Sequence, residues 1–333
     1  MKDSVKEEIK KIVRLTKFDE PMKEHTTFRV GGPAEVYAEP SVTEIYDLMH
    51  FLDKNDIDYE VIGNGSNLLV SDKGIKGLVI NISKEFIPAA VVDMDIKRIG
   101  SDEKVYPEVA DDESMLMVPA GTPLSAAANA AAGRGLTGME ELSGIPGTIG
   151  GAVYMNAGAY GREMKDVVFK VDVIKPRIGD VEYVGNELGL SYRHSIFMVE
   201  NEVNSWEQKR CTPLIITAVY LHLKNGDEKE IREKMADFAR RRRDKQPLEF
   251  PSAGSTFKRP EGYFAGKLIQ DAGLKGFSIG GAEVSEKHSG FIINKGNASA
   301  ADIFNLIQEV KMRVYENSGV QLEPEVRMMG DFS

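Results

Sequence analysis

The sequence predicts an α+β fold built around a bound dinucleotide. Two observations carry that expectation: amphipathic segments in β-α-β order and a pair of separate glycine-rich loops. One loop lies in Val61-Ile62-Gly63-Asn64-Gly65-Ser66-Asn67-Leu68-Leu69-Val70, where an apolar strand end meets a Gly/Ser/Asn turn and then apolar residues again. The other fills Ser143-Gly144-Ile145-Pro146-Gly147-Thr148-Ile149-Gly150-Gly151-Ala152 and runs on to Gly161, with six glycines after Leu142. Glycine serves where backbone takes positive φ or presses close against a ligand. Successive N–H groups in such a turn form a nest for phosphate oxygens, to which Ser66 and Asn67 can add donors. The first loop is not a Walker loop, because no Gly-Lys-Ser/Thr follows it. Nor is it a Rossmann fingerprint, because the third glycine is missing and no helix opens there. The second stretch alone could also be a tight turn before a buried strand; together the two loops suggest a dinucleotide gripped from both sides.

In chain order, residues 4–15 predict a short amphipathic packing helix with Val5, Ile9, Ile12 and Val13 on one side. Lys23 to Val30 leads through Gly31-Gly32-Pro33 into a strand around Val36 to Glu39, a hairpin by its local pattern. Ser41 and Glu44 have capping-box spacing, and Ile45, Leu48, Met49 and Leu52 recur at helical spacing, so a helix is expected over 42–54. Strands at Tyr59–Ile62 and Gly77–Ile82 flank the first glycine loop. Residues 85–113 are irregular and acidic and carry no recognisable chemistry. A strand resumes at Met115–Ala120, and Thr122-Pro123 supply an N-cap and a first-turn proline for a helix ended by Gly133. Strands follow at about 166–174 and 213–223, the second apolar enough to be buried on both faces. A helix from Asp227 to Arg243 turns Ile231, Met235, Phe238 and Ala239 inward and ends in the basic run Arg240–Arg243. Cations closing a helix C-terminus explain that run, with direct ligand contact as the alternative. Gln246-Pro247 breaks the helix. Beyond it come a Gly/Ser loop, a short helix near 263–271, strands at Ala282–Ser285 and Phe291–Asn294, and a last helix capped by Ser299 and stopped by Gly319. Phe197–Cys211, with Trp206 in it, reads as a lid or an insertion.

Composition limits what the protein does. At 333 residues with 42% hydrophobic and 28% charged side chains, the chain suffices for two or three sub-domains sharing a core. A formal net charge of −10 argues against a nucleic-acid or anionic-membrane binder, so any anionic ligand needs local cations. Cys211 is the only cysteine, which excludes an intrachain disulfide and fits a reducing compartment. The charged segment Met1–Arg14 lacks the apolar stretch of a signal peptide, and no run of apolar residues is long enough to span a membrane. A cytoplasmic protein is expected, with a monomer as the default. His25, His50, His194, His222 and His288 show no metal-ligand spacing, so no metal is expected.

Six motifs occur in an order that resembles the UDP-N-acetylenolpyruvoylglucosamine reductase (MurB) family. They are Thr26-Thr27-Phe28-Arg29-Val30-Gly31-Gly32-Pro33-Ala34, Gly63 to Val70, Gly144 to Gly161, Tyr192-Arg193-His194-Ser195, Ala253-Gly254-Ser255-Thr256-Phe257-Lys258 and Leu322-Glu323-Pro324-Glu325-Val326. Each alone is weak; six in order over roughly residues 20–330 are specific. The resemblance implies a two-part FAD-binding domain of the vanillyl-alcohol-oxidase/PCMH type plus a smaller α+β substrate-binding domain. The divisions expected are 1–83, 84–223 and 224–333. It implies FAD contacts from Thr27 and Arg29, from Gly63, Asn64, Gly65, Ser66, Asn67 and Leu68, and from Ser143, Ile145, Pro146, Gly147, Gly150, Gly151, Asn156, Gly158 and Ala159. The spacing of Ser255 and Glu325 resembles the shorter of the family's two forms.

The activity so implied is NADPH-dependent, FAD-mediated reduction of UDP-N-acetylglucosamine-enolpyruvate to UDP-N-acetylmuramate in peptidoglycan precursor synthesis. NADPH reduces the flavin and leaves, and the enolpyruvyl nucleotide then takes its place. Hydride added to the terminal carbon pushes charge toward the carboxylate, which needs donors already in place. Arg193 can grip that carboxylate bidentately; on its own residues it reads as readily as a surface ion pair. Ser255, by itself a turn hydroxyl, is by resemblance the acid that protonates the carbon beside the carboxylate, and it needs neighbours that stabilise its alkoxide. Glu325 resembles the second active-site acid and is expected to have a raised pKa, with Glu323 as a confounder. Tyr192, Lys245, Lys258, Arg259 and Lys267 are the candidate contacts for the nucleotide diphosphate, although a solvated lysine is an equal reading of Lys258. His194 reads as a structural hydrogen bond. Two other readings stand beside this one: another flavoenzyme of the same fold acting on a small alcohol or sugar, and a non-catalytic nucleotide-sugar binding protein.

Overall fold

Ile9, in helix α1 (Asp3–Ile12), and Val13 just past it are both fully buried, so the amphipathic start of the chain covers the main core. This computed structural model describes residues 1–83, 92–94, 112–201 and 213–333. Most of the acidic stretch 85–113, and Trp206 and Cys211 in the candidate lid, lie outside the described residues.

Strand β1 (Thr16–Pro21) pairs antiparallel with β2 (Pro33–Ala38). Helix α2 (Glu44–Asn55) starts from the expected box: Ser41 N–H donates to the Glu44 carboxylate at 2.8 Å and Glu44 N–H to Ser41 Oγ at 3.3 Å. After β3 (Tyr59–Ile62), β4 (Leu68–Val70) and β5 (Ile75–Asn81), the first sheet has the order β1-β2-β5-β3, with β2, β5 and β3 parallel. The β-α-β pattern therefore becomes a parallel core with α2 as its crossover.

The second sheet holds β6 (Val92–Met94), β7 (Glu113–Pro119), β8 (Leu136–Thr137), β11 (Val168–Lys175), β12 (Gly179–Val184) and β13 (Ile215–Asn225). Its order is β12-β11-β13-β7-β6, and β8 pairs with the end of β13. As expected of an apolar central strand, Ile215, Val219 and Leu221 of β13 are fully buried, and β11 and β7 flank it. Thr122 does not cap the next helix. Helix α3 (Leu124–Ala132) begins behind Pro123, which has ψ 138°, and the Leu124 N–H donates to the Gly147 carbonyl at 2.9 Å. The glycine stretch thus ends α3 where a side-chain cap was expected. Helix α4 (Ile149–Tyr154) and the ribbon of β9 (Gly158–Ala159) with β10 (Arg162–Glu163) follow it.

Helix α5 (Glu228–Lys245), capped by Asp227, lies against α3 and β8. Its Ile231 is buried, whereas Met235, Phe238 and Ala239 are only half-buried. The last unit comprises α6 (Ala265–Asp271), β14 (Ser278–Ile279), β15 (Ala282–Val284), β16 (Ile292–Asn294), α7 (Ala300–Ser318) and β17 (Arg327–Met329). Ser299 caps α7 in a reciprocal box with Asp302, and Gly319 ends it at φ +72°. The Asp72 carboxylate also accepts from the Ala300 and Ala301 N–H groups at 2.9 Å each, tying this unit to the first sheet. A second tie is the parallel pairing of β17 with β4, Arg327 opposite Leu68 and Met329 opposite Val70.

One hydrophobic cluster runs from Ile9 to Leu223 across both large sheets. Another gathers the last unit around Ile303, Ile307 and Val310 and includes Phe28, Val30 and Leu69 from the first part of the chain. Among the described residues, no helix is long and apolar enough to cross a membrane. Ile307→Ala, at 0% exposure, is expected to cost about 2–5 kcal/mol. Met312→Ala, 48% exposed on the same helix, should stay within about 0.5 kcal/mol. Midpoints of urea denaturation test both.

Candidate active site

The two glycine loops meet at the carboxyl end of β3. Gly65 has φ +60°, and a Cβ there would overlap the His25 carbonyl, so glycine alone lets this turn close against the preceding segment. Thr27 N–H braces the turn by donating to the Gly65 carbonyl at 3.2 Å. A Cβ on Gly63 would run into Thr148 Oγ1, the hydroxyl that caps α4 by accepting from Gly151 N–H at 3.3 Å. Asn64 Nδ2 donates to the Pro146 carbonyl at 2.6 Å, joining one loop to the other.

Between them lies a cavity of about 560 Å³. Gly63, Asn64, Gly65, Ser66, Asn67 and Leu68 line one side; Ile145, Pro146, Gly147, Gly150, Gly151, Gly158 and Ala159 line the other. Thr27, Arg29, Ser143 and Asn156 do not line it. Thr27 supports the Gly65 turn, Arg29 is exposed, and Ser143 Oγ donates to the Glu140 carbonyl at 2.7 Å. Asn156 is fully buried and clamps the next functional turn: its Nδ2 donates to the Ser191 carbonyl at 2.6 Å.

That turn presents Arg193. Ser191 and His194 exchange backbone hydrogen bonds of 3.1 and 3.0 Å, and Arg193 sits between them at φ +52°. His194 Nδ1 lies 3.1 Å from the Gly189 carbonyl oxygen, a structural contact. Arg193 Nε donates to the Glu325 carboxylate. The Glu325 segment is fixed from two directions. Its N–H donates to the Thr256 carbonyl at 2.8 Å, and its own carbonyl accepts from Asn67 Nδ2 at 3.0 Å. The first of these bonds sets Ser255 beside Glu325; the second ties Glu325 to the first glycine loop. Burial pushes the Glu325 carboxyl above its ordinary value, against the opposing pull of Arg193 and Lys258. Among the described residues the Ser255 hydroxyl has no hydrogen-bond partner. Glu323 is 68% exposed and pairs with Lys258, so it is Glu325 that faces the cavity.

A second cavity of about 450 Å³ shares Arg193, Ser255 and Glu325 with the first. Tyr192, Arg259, Lys267, Lys275, Lys287 and His288 line it, so its wall is basic in an acidic protein. The Tyr192 hydroxyl accepts from Arg259 N–H at 2.9 Å, and Lys267 pairs with Asp271. Burial lowers the pKa of His288, favouring the neutral ring. Lys245 and Lys258 line neither cavity.

Sequence reasoning did not select Arg327, Tyr154 or Tyr160 and preferred a helix-end role for Arg242, yet all four line the first cavity. Arg242 belongs to the basic run expected to close α5. Arg240 and Arg241 pair with Asp237 on that helix, but Arg242 leaves it to donate to the Gly144 carbonyl. The features of the cavity suit FAD. Close-approach glycines line it, and among the described residues the Asn64, Gly65 and Ser66 N–H groups donate to nothing in the chain. Its volume falls in the range of about 300–1,000 Å³ usual for such sites. Gly65→Ala should displace the turn and cut the flavin retained on purification on the order of tenfold. The ratio of flavin to protein absorbance measures it.

The comparisons agree with this geometry. Residues 246–329 match the C-terminal domain of UDP-N-acetylenolpyruvoylglucosamine reductase, and residues 33–182 match an FAD binding domain. The UDP-N-acetylenolpyruvoylglucosamine reductase of Agathobacter rectalis is 48% identical over 94% of this chain and 94% of its own. That of Caldanaerobacter subterraneus subsp. tengcongensis is 44% identical over 99% and 100%. Among solved structures, UDP-N-acetylenolpyruvylglucosamine reductase (MurB) from Thermus caldophilus superposes with a TM-score of 0.69 at 34% identity, covering 95% of this chain and 98% of that one. These matches bear out the α+β class and the FAD-binding architecture expected from the sequence. With identity of 48% sustained over nearly its whole length, the chain belongs to the UDP-N-acetylenolpyruvoylglucosamine reductase family.

Proposed function

We propose that the chain reduces the enolpyruvyl double bond of UDP-N-acetylglucosamine-enolpyruvate, giving UDP-N-acetylmuramate for peptidoglycan, with Arg193, Ser255 and Glu325 as the reacting groups. The observation that carries this is the junction. Arg193, Ser255 and Glu325 come from distant parts of the chain and stand on the wall that the glycine-lined cavity shares with the basic one.

The two glycine loops would hold FAD, which would supply hydride obtained from NADPH. The chain's own residues do the rest. The basic second cavity suits a nucleotide diphosphate, with Arg259 and Lys267 for its charge and Tyr192 beside them. Lys245, exposed and outside both cavities, is the weakest of the expected contacts. Arg193 holds the substrate carboxylate and balances the charge that develops as hydride adds to the terminal carbon. The Ser255 hydroxyl gives its proton to the adjacent carbon, completing the addition of one hydride and one proton across the double bond. In its protonated form, which burial favours, Glu325 donates a hydrogen bond to the enolate-like carboxylate while Arg193 keeps it oriented. All partners in this reading are small molecules. The chain reads as an FAD-binding part in two segments and a substrate-binding part extending to β17.

Ser255→Ala is expected to lower kcat by about 10²- to 10⁴-fold while NADPH still reduces the bound flavin. Nicotinamide absorbance, followed with and without the enolpyruvyl substrate, separates the two half-reactions, and intact turnover in Ser255→Ala would sink the proton-donor role. A carboxyl with a raised pKa stays protonated to higher pH, so reduction should decline as pH rises through that value. Glu325→Gln should lack this limb and be slower by about 10- to 100-fold; a pH–rate profile checks both.

A further inference from the structure

Among the described residues, three guanidiniums line the flavin cavity. Arg193 contacts the Glu325 carboxyl and answers the substrate carboxylate in the proposed reaction, and Arg242 donates to the Gly144 carbonyl of the second glycine loop. Arg327 is left: among the described residues no carboxylate is in ion-pair contact with it. It follows Glu325 by two residues and its N–H donates to the Asn67 carbonyl at 3.0 Å. Its guanidinium lies 5.0 Å from the centre of the Tyr154 ring, which lines the same cavity. The wall between the first glycine loop and the junction therefore carries a guanidinium that, among the described residues, no carboxylate contacts.

A hydride brings a pair of electrons and a single proton, so a flavin that accepts it from NADPH, releasing NADP⁺, gains one negative charge. That charge leaves again when the hydride passes to the enolpyruvyl carbon and Ser255 protonates its neighbour. Positive charge near the ring favours the reduced form over the oxidised one. We propose that Arg327 is the residue that holds this charge, stabilising the anionic reduced flavin and setting the potential of the cofactor. Arg327 neither gains nor loses a proton and touches neither substrate carbon; it tunes the cofactor. The other ionisable groups along the cavity are Glu60, Tyr154, Tyr160, Arg193, Arg242 and Glu325. The inference rests on the flavin reading of the cavity and goes beyond it by assigning the residue that sets the potential.

Flavin-loaded wild type, Arg327→Met, Arg327→Lys and Arg242→Met are equilibrated with dyes of known potential, and dissociation constants are measured for oxidised and reduced FAD. Arg327→Met should shift the potential to more negative values, weakening reduced FAD about tenfold more than oxidised FAD. Arg327→Lys should restore most of the shift, and Arg242→Met should weaken both states alike. In wild type, reduction should take up one proton per electron pair down to lower pH than in free FAD; this decides the matter even if Arg327→Met does not fold. An unmoved potential in Arg327→Met, equal weakening of both states, an equal shift in Arg242→Met, or proton uptake identical to free FAD would each overturn the proposal. A wild-type protein that binds no FAD would overturn the proposed function as well, whereas bound flavin with an unmoved potential overturns this inference alone.

Discussion

The arrangement of the site depends on the parallel pairing of β17 with β4. β4 leaves the first glycine loop and β17 begins two residues after Glu325, so three residues of ladder register position both walls of the cavity. Asn67 fixes that register from the side: its carbonyl accepts from Arg327 N–H and its amide donates to the Glu325 carbonyl, at 3.0 Å each. A slip of one residue in this ladder would turn Glu325 out of the cavity. The register is protected because Leu69 is fully buried in the second hydrophobic cluster.

Electrostatics then gives the junction its character. Arg193 and Glu325 are 15% and 12% exposed, buried enough for their mutual attraction to matter and open enough to meet a ligand. Burial raises the Glu325 pKa while Arg193 pulls against it. Arg193 is held at positive φ by the Ser191–His194 turn, and buried Asn156 holds that turn. Strain of this kind persists only where surrounding contacts over-determine it. Here the buried amide supplies them.

What could be read from the sequence was local. The Ser41/Glu44 box, the Ser299 cap and the Gly319 stop each act within one helical turn, and the elements they bound stand where their spacing placed them. The glycine loops were legible because glycine density has few other causes. β4 and β17 were not, because three-residue strands have no periodicity and each exists only through a partner at the far end of the chain. β12 escaped for a different reason: its residues are half-buried along most of their length, so no alternation shows. Arg242 was hidden by a sound local explanation, the helix terminus, that holds for Arg240 and Arg241 beside it. Asn156 lies inside the right motif yet acts one layer back, bracing the turn that carries Arg193, a distinction that composition does not make.

The β4–β17 ladder also constrains when the enzyme can come into being. The first glycine turn is synthesised well before its strand partner and Glu325, which follow every other residue that lines the cavity. During translation β4 must wait with an unpaired edge, the kind of exposed backbone that recruits wrong partners. Closing so long a loop is slow relative to helix formation. Assembly of this chamber is therefore a late event of biogenesis.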